Sequence, residues 1–221
     1  MLSALLKLLN YFDLKSTTLS RFVVMPSLKL KLILRVVVLT LVLVAPVYAQ
    51  TTEYVVAPES EMHVDGTSNQ TPEWRVYATQ IDGTLSMNEE GRVDSVRLVI
   101  PSKMMKSRKS PIMDRGMHGA LKANQHAEIV YELVSVSDFT MTGDNTFTLN
   151  STGNLTIADV TKEIAIPIEG IAQENGRVHF TGSHSLLMSE YDLKPPTMMF
   201  GAYRTGDELT VTFELIAAPA E

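Results

Sequence analysis

No cysteine occurs among the 221 residues. That absence excludes a disulfide framework, a thiolate metal site and the acylated cysteine of a lipoprotein. Catalytic groupings are equally sparse. The five histidines form no His-x-His or His-Glu-x-x-His, and there is no glycine-rich loop to hold a phosphate. Ser183 and His184 are adjacent on an expected strand, so they point to opposite faces and cannot act as a nucleophile and base. His118 and His126 are expected as solvated residues flanking a helix. A hydrolase is the weakest reading, no catalytic residue is assigned, and neither a metal nor a cofactor is implied.

The apolar run Val36 to Val44 is too short for a comfortable membrane span, which needs about 20 residues. It follows Lys29, Lys31 and Arg35 and precedes Val47-Tyr48-Ala49. That order is a secretory signal peptide over residues 25–49, beginning at Met25 and leaving Gln50 as the first mature residue. An uncleaved anchor is the alternative. Residues 1–24 read as a start-site extension outside the fold. The remaining residues 50–221 hold 13 basic and 24 acidic side chains, a net of −11. Such a chain is expected to be repelled by phosphate backbones and anionic headgroups, which disfavours nucleic acid as a partner. A secreted or periplasmic single domain of this length can bury an adequate core without covalent staples.

What the sequence does contain is alternation. Phe147, Leu149, Leu155 and Ile157 fall on odd numbers among polar residues, and Ile164, Ile166 and Ile168 continue on even numbers after Ala158-Asp159. A two-residue hairpin loop there pairs odd with even residues, so the parity switch is what the turn requires. Further strands are read at Glu53 to Ala57 and Ser60 to Thr67, broken at Pro58, and from Trp74 to Met87, with a bulge near Thr79-Gln80. Others follow at Val96 to Ile100, Ile129 to Met141, Val178 to Leu186 and Leu209 to Leu215. The segment Ser102 to Gln125 breaks the pattern, and Met113, Met117 and Leu121 at helical spacing predict a short amphipathic helix over about Ile112 to Ala123. The fold class is all-β: an extended antiparallel barrel of eight strands with that helix over its mouth. Eight strands enclose an interior that side chains can fill or that can hold one ligand.

Gly153-Asn154-Leu155-Thr156-Ile157-Ala158-Asp159-Val160-Thr161-Lys162-Glu163 resembles the G-x-L-T-I-x-G-V-T-K-x hairpin of the YceI-like family. Ala120-Leu121-Lys122-Ala123 with His126-Ala127-Glu128-Ile129, and Lys194-Pro195-Pro196-Thr197 with Phe200-Gly201, are similar to further marks of that family. Where its better-known branch has Asp-x-x-His-Ser, this chain reads Ala57-Pro58-Glu59-Ser60. The resemblance implies a lipocalin-like barrel holding a long isoprenoid or acyl chain without catalysing a reaction. A structural or protein-interaction barrel with a filled interior is the alternative.

Turn arithmetic then suggests a site. A three-residue loop at Gly143 to Asn145 would set Ser137 opposite Ser151 and Ser135 opposite Gly153. The Ala158-Asp159 loop sets Ser151 opposite Ile166 and Gly153 opposite Ile164, and a loop at Glu174 to Gly176 sets His184 opposite Ile166. The expected cavity lies at the level of Ser135, Ser137, Ser151 and Gly153, with Tyr131, on the strand of Ser135 and Ser137, among its ligand-binding residues. Phe139, Phe147 and Phe180 would close one end, and Met113, Met117 and Leu121 would cover the other. The alternative is that large side chains such as Trp74 fill the space.

Overall fold

A period of two between buried and exposed residues governs nearly every element of the chain. The computed structural model describes residues 51–71 and 73–220. The expected start-site extension and signal peptide lie outside them. The strands are β1 (Thr52–Val56), β2 (Glu61–Ser68), β3 (Trp74–Ala78), β4 (Asp82–Met87), β5 (Val93–Pro101), β6 (Met105–Lys106), β7 (Glu128–Met141), β8 (Thr146–Ile157), β9 (Val160–Ala172), β10 (Val178–Leu187), β11 (Thr197–Met198) and β12 (Tyr203–Pro219). Among the described residues one α-helix, α1 (Pro111–Ala120), precedes β7.

These strands make eight staves. β1 and β2 are one stave interrupted around Pro58, β3 and β4 another interrupted at residues 79–81, and β5 and β6 a third interrupted by a 3-10 turn at Ser102–Met104. The short β11 pairs only with β12. β12 pairs with β10 on one side and with β2 and then β1 on the other, which closes an antiparallel barrel. Closure joins the two outermost staves, which would otherwise be open sheet edges.

The central hairpin has the register that its parity demands. Ala158 and Asp159 both have left-handed backbones (φ 46° and 82°), as a two-residue loop matched to strand twist requires. Pairing then runs unbroken from Ile157↔Val160 to Thr146↔Ile171. Gly176 takes the left-handed position of the next turn (φ 79°). On the other side, β7 contains two bulges. Leu133 faces Gly153 but Ser135 faces Thr152, and Ser137 faces Asn150 but Thr140 faces Thr148. Each extra residue turns the alternation over, so Val136 rather than Ser137 stands opposite Ser151, and the expected Ser135–Gly153 and Ser137–Ser151 pairs do not exist. Asp138 absorbs the second bulge with φ 53°, and its carboxylate accepts from Asn150 Nδ2 at 2.9 Å.

A second departure lies between β9 and β10, where pairing runs from Ala172↔Val178 only to Ile168↔Gly182. The cause is Pro167. Gln173 N–H donates to Arg177 and Ala172 N–H to Asn145, both at 2.8 Å. Counting alternate positions from these two bonds, residue 167 is one whose N–H would point to β10. Proline has none, so the ladder stops and a seam opens between the strands. The expected pairing of His184 with Ile166 is lost with it. The 3-10 turn Met188–Tyr191 follows β10, and Tyr191 packs in a cluster with Ile157, Ala158, Leu186 and Leu193.

The helix begins where Ser110 caps Ile112 N–H (3.2 Å) with Pro111 at the first helical position. It ends at Ala120, earlier than the expected Ala123, because Leu121 is the cap and Lys122 turns left-handed (φ 51°). His118 is not simply solvated: its Nε2 lies 2.9 Å from the Met105 carbonyl and ties the helix to β6. His126 is half-buried, 3.9 Å from Asp159.

Gly170 tests the tightness of the closed end. A Cβ there would lie 2.1 Å from Phe147 Cζ, whereas one at Gly119 in α1 would meet nothing within 4 Å. Gly170→Ala is expected to lower stability by about 1–3 kcal/mol through overpacking. Gly119→Ala should be neutral or stabilising by up to about 1 kcal/mol. Urea unfolding midpoints at unchanged slope would measure both.

Candidate ligand cavity

The inward residues of the staves do not fill the barrel. A cavity of about 250 Å³ runs through it, just under the range of about 300–1,000 Å³ common for small-molecule sites. Among the described residues no Asp, Glu, Lys or Arg lines it. At one end Met113, Gly116, Met117 and Leu121 from α1 meet Pro196 and Met198, while the middle is walled by Leu133, Val136, Ile164 and Ile166. Trp74 reaches the lining as well, but its indole lies over Gly66, where a Cβ would be 2.3 Å from the ring. Its Nε1 donates to Thr67 O at 2.8 Å. Held there, it does not occupy the middle of the barrel.

The opposite end is aromatic. Phe180 lines the cavity and meets Phe147 edge-on, with centroids 6.0 Å apart at 74°, and Phe147 stacks on Phe139 at 5.2 Å and 30°. Edge-on and offset ring pairs are the favoured geometries. Phe147 and Phe139 therefore back the floor without forming the cavity wall. Gly170 leaves the space that Phe147 occupies.

Polar groups in the middle are few. Tyr131 OH and Ser151 Oγ are 2.5 Å apart, and both residues are buried. Burial pushes the phenol up from its ordinary pKa against the opposing effect of that hydrogen bond. His184 is the third group. Burial holds its imidazole below its ordinary pKa, opposed by the Ala165 backbone and the Glu190 carboxylate. Burial therefore favours its uncharged form. The seam matters here, because residue 165 falls at another position directed toward β10, where no ladder partner is present.

Of the residues expected at the site, Met113, Met117, Leu121, Tyr131, Ser151, Ile164, Ile166, Phe180 and His184 line this one cavity. Ser135 and Ser137 do not. Both are exposed on the outer wall, because they lie between the two bulges, where the parity is reversed. Gly153 is buried beneath the Tyr131 ring, where a Cβ would be 2.4 Å from the hydroxyl. It makes room for the tyrosine and is not itself wall. Leu133, Val136, Met188, Leu193, Pro196 and Met198 line the cavity without having been anticipated. Val136, apolar between Ser135 and Ser137, carried the signal for β7, whereas Val134 at the bulge is exposed. Apolar residues crowded from Leu186 to Leu193 carried it for the turn.

The sequence profile of the YceI-like domain matches residues 54–217. Solved structures repeat the fold at low sequence identity. A polyisoprenoid binding domain from Saccharophagus degradans, described as implicated in plant cell wall breakdown, aligns with a TM-score of 0.62 and 10% identity over 77% of this chain and 100% of that one. BcnA of Burkholderia cenocepacia aligns at 0.57 and 17% identity over 72% and 97%, and a YCEI protein of Campylobacter jejuni at 0.51 and 14% over 66% and 84%. No curated protein matches the chain. The profile spans the barrel from β1 to β12, and the chain belongs to the YceI-like family.

Proposed function

We propose that residues 50–221 act as a secreted or periplasmic binding protein that holds a long apolar chain, a polyisoprenoid or acyl ligand, inside the barrel. On this reading the protein carries the ligand and catalyses nothing. The observation that carries the reading is the cavity itself: an interior with apolar walls, no charged residue among the described lining, and an aromatic floor. The likeness to a polyisoprenoid binding domain supports the same class of ligand. Residues 1–49 would serve as the export signal with its extension. Inside, two hydroxyls bonded to one another and one uncharged imidazole suit a polar end of a ligand and provide no activated nucleophile.

Mass spectrometry of an organic extract of the natively purified protein is expected to find a long-chain lipid. No lipid, together with no binding of added polyprenyl or acyl probes, would favour a structural barrel instead. Met117→Asp is expected to speed release of a fluorescent polyprenyl probe by about tenfold, because a charge at the portal weakens apolar closure. Unchanged release from a folded variant would put the portal elsewhere. His184→Phe should weaken a chain with a polar head by about fivefold relative to a plain hydrocarbon of equal length, the effect of one hydrogen bond. Equal loss for both probes would assign the imidazole to packing.

A further inference from the structure

The charges of this acidic chain are not mixed evenly. Residues 102–125 and 193–206, two segments at the cavity mouth, hold eight of the 13 basic side chains after residue 49 and one carboxylate, Asp114. The rest of residues 50–221 holds five basic and 23 acidic side chains. Pairing follows the same division. Arg75, Arg92, Arg97 and Arg177 each form an ion pair, with Asp65, Glu90, Glu132 and Glu59. None of Lys103, Lys106, Arg108, Lys109, Arg115, Lys122, Lys194 or Arg204 does so among the described residues. Asp114, the one acid, is occupied in accepting from Ser107 N at 2.8 Å.

The same rim exposes apolar side chains. Ile112 at the start of α1 is 60% exposed, Met199 78%, and Phe200 fully. Met199 and Phe200 are held with left-handed backbones (φ 52° and 57°), a conformation that costs a non-glycine residue of order 1 kcal/mol or more. Nothing in the barrel is gained by presenting them this way, since neither lines the cavity.

We propose that the barrel mouth docks on an anionic lipid bilayer, with Ile112, Met199 and Phe200 entering the interface and the unpaired lysines and arginines of the two rim segments meeting the headgroups. The inference rests on the carrier reading for its purpose, because a long apolar chain moves between a lipid phase and the cavity most directly when the mouth faces that phase. The net charge of −11 opposes this only on average, since screening confines each charge to a neighbourhood of about 10 Å at 0.1 M salt. A second copy of the chain would also offer carboxylates. Separate protruding tips, however, suit a deformable headgroup layer better than a protein face, which needs a contiguous packed apolar centre. Acids at the same end, Asp159 near His126 and Asp207 bonded to Ser189, lie on the β8–β9 hairpin and on β12 and not in these two segments.

The experiment is flotation of residues 50–221, whose barrel and core are complete within that range, with vesicles of phosphatidylethanolamine containing phosphatidylglycerol, and with phosphatidylcholine vesicles as the neutral comparison. Binding should favour the anionic vesicles and fall with added salt. Replacing Lys103, Lys109 and Arg115 with Glu together should weaken it about a hundredfold, given about fivefold per cation. Phe200→Ser should weaken it about tenfold. Both variants should keep the circular dichroism spectrum and the probe affinity in solution of the parent. Equal binding to both vesicle types, or indifference to both variants, would overturn the proposal. So would light scattering that shows a concentration-dependent dimer lost in Phe200→Ser, which would give the rim to a second copy. Vesicle binding by a chain that holds no apolar probe would sink the carrier reading alone, and probe binding without vesicle binding would sink the docking alone.

Discussion

Every feature of the interior depends on strand alternation in a closed barrel. Once β12 has joined β10 on one side and β1 and β2 on the other, each strand has only an inner and an outer face, and a single inserted residue exchanges them. The cavity is lined as it is because the alternation is kept in β8 and β9, broken twice in β7, and interrupted in the first three staves at points that let each bend around the barrel. A one-residue change of register in β7 would replace Val136 with a serine in the wall.

Two defects in the hydrogen-bond ladders do more than bend the sheet. Pro167 removes the donor that would tie β9 to the lower part of β10, and His184 stands on the unpaired side of that interruption. The imidazole is thus half-buried, uncharged and directed into an apolar cavity. The bulge at Asp138 restores the parity that the bulge at Val134 reversed, which returns Phe139 to the inner side to stack on Phe147. Glycines do complementary work. Gly153 and Gly170 are small where a ring from the neighbouring strand lies across them, so Tyr131 and Phe147 can reach their places without displacing backbone.

The barrel also separates its charges by segment. Acidic side chains dominate the strands and hairpins, where the arginines are paired, whereas residues 102–125 and 193–206 keep unpaired cations beside exposed apolar tips. A net charge summed over the chain averages these two populations and describes neither.

By itself the sequence determined the all-β class, the eight staves, the left-handed turn at Ala158-Asp159 and the full register of β8 against β9. The family marks were legible in the same hairpin. These are local quantities, since alternation and a two-residue loop depend on near neighbours in the chain. The sequence also held a clue to β7, because Val136 is apolar between the polar Ser135 and Ser137, but extrapolating one turn along fourteen residues passed over it. Only the tertiary structure decided how the ladders end and what they enclose. Whether Pro167 falls on a bonding position depends on two turns at once. Whether the glycine at 153 borders a cavity or a tyrosine depends on a strand more than twenty residues away. The space left inside depends on all eight staves closing together.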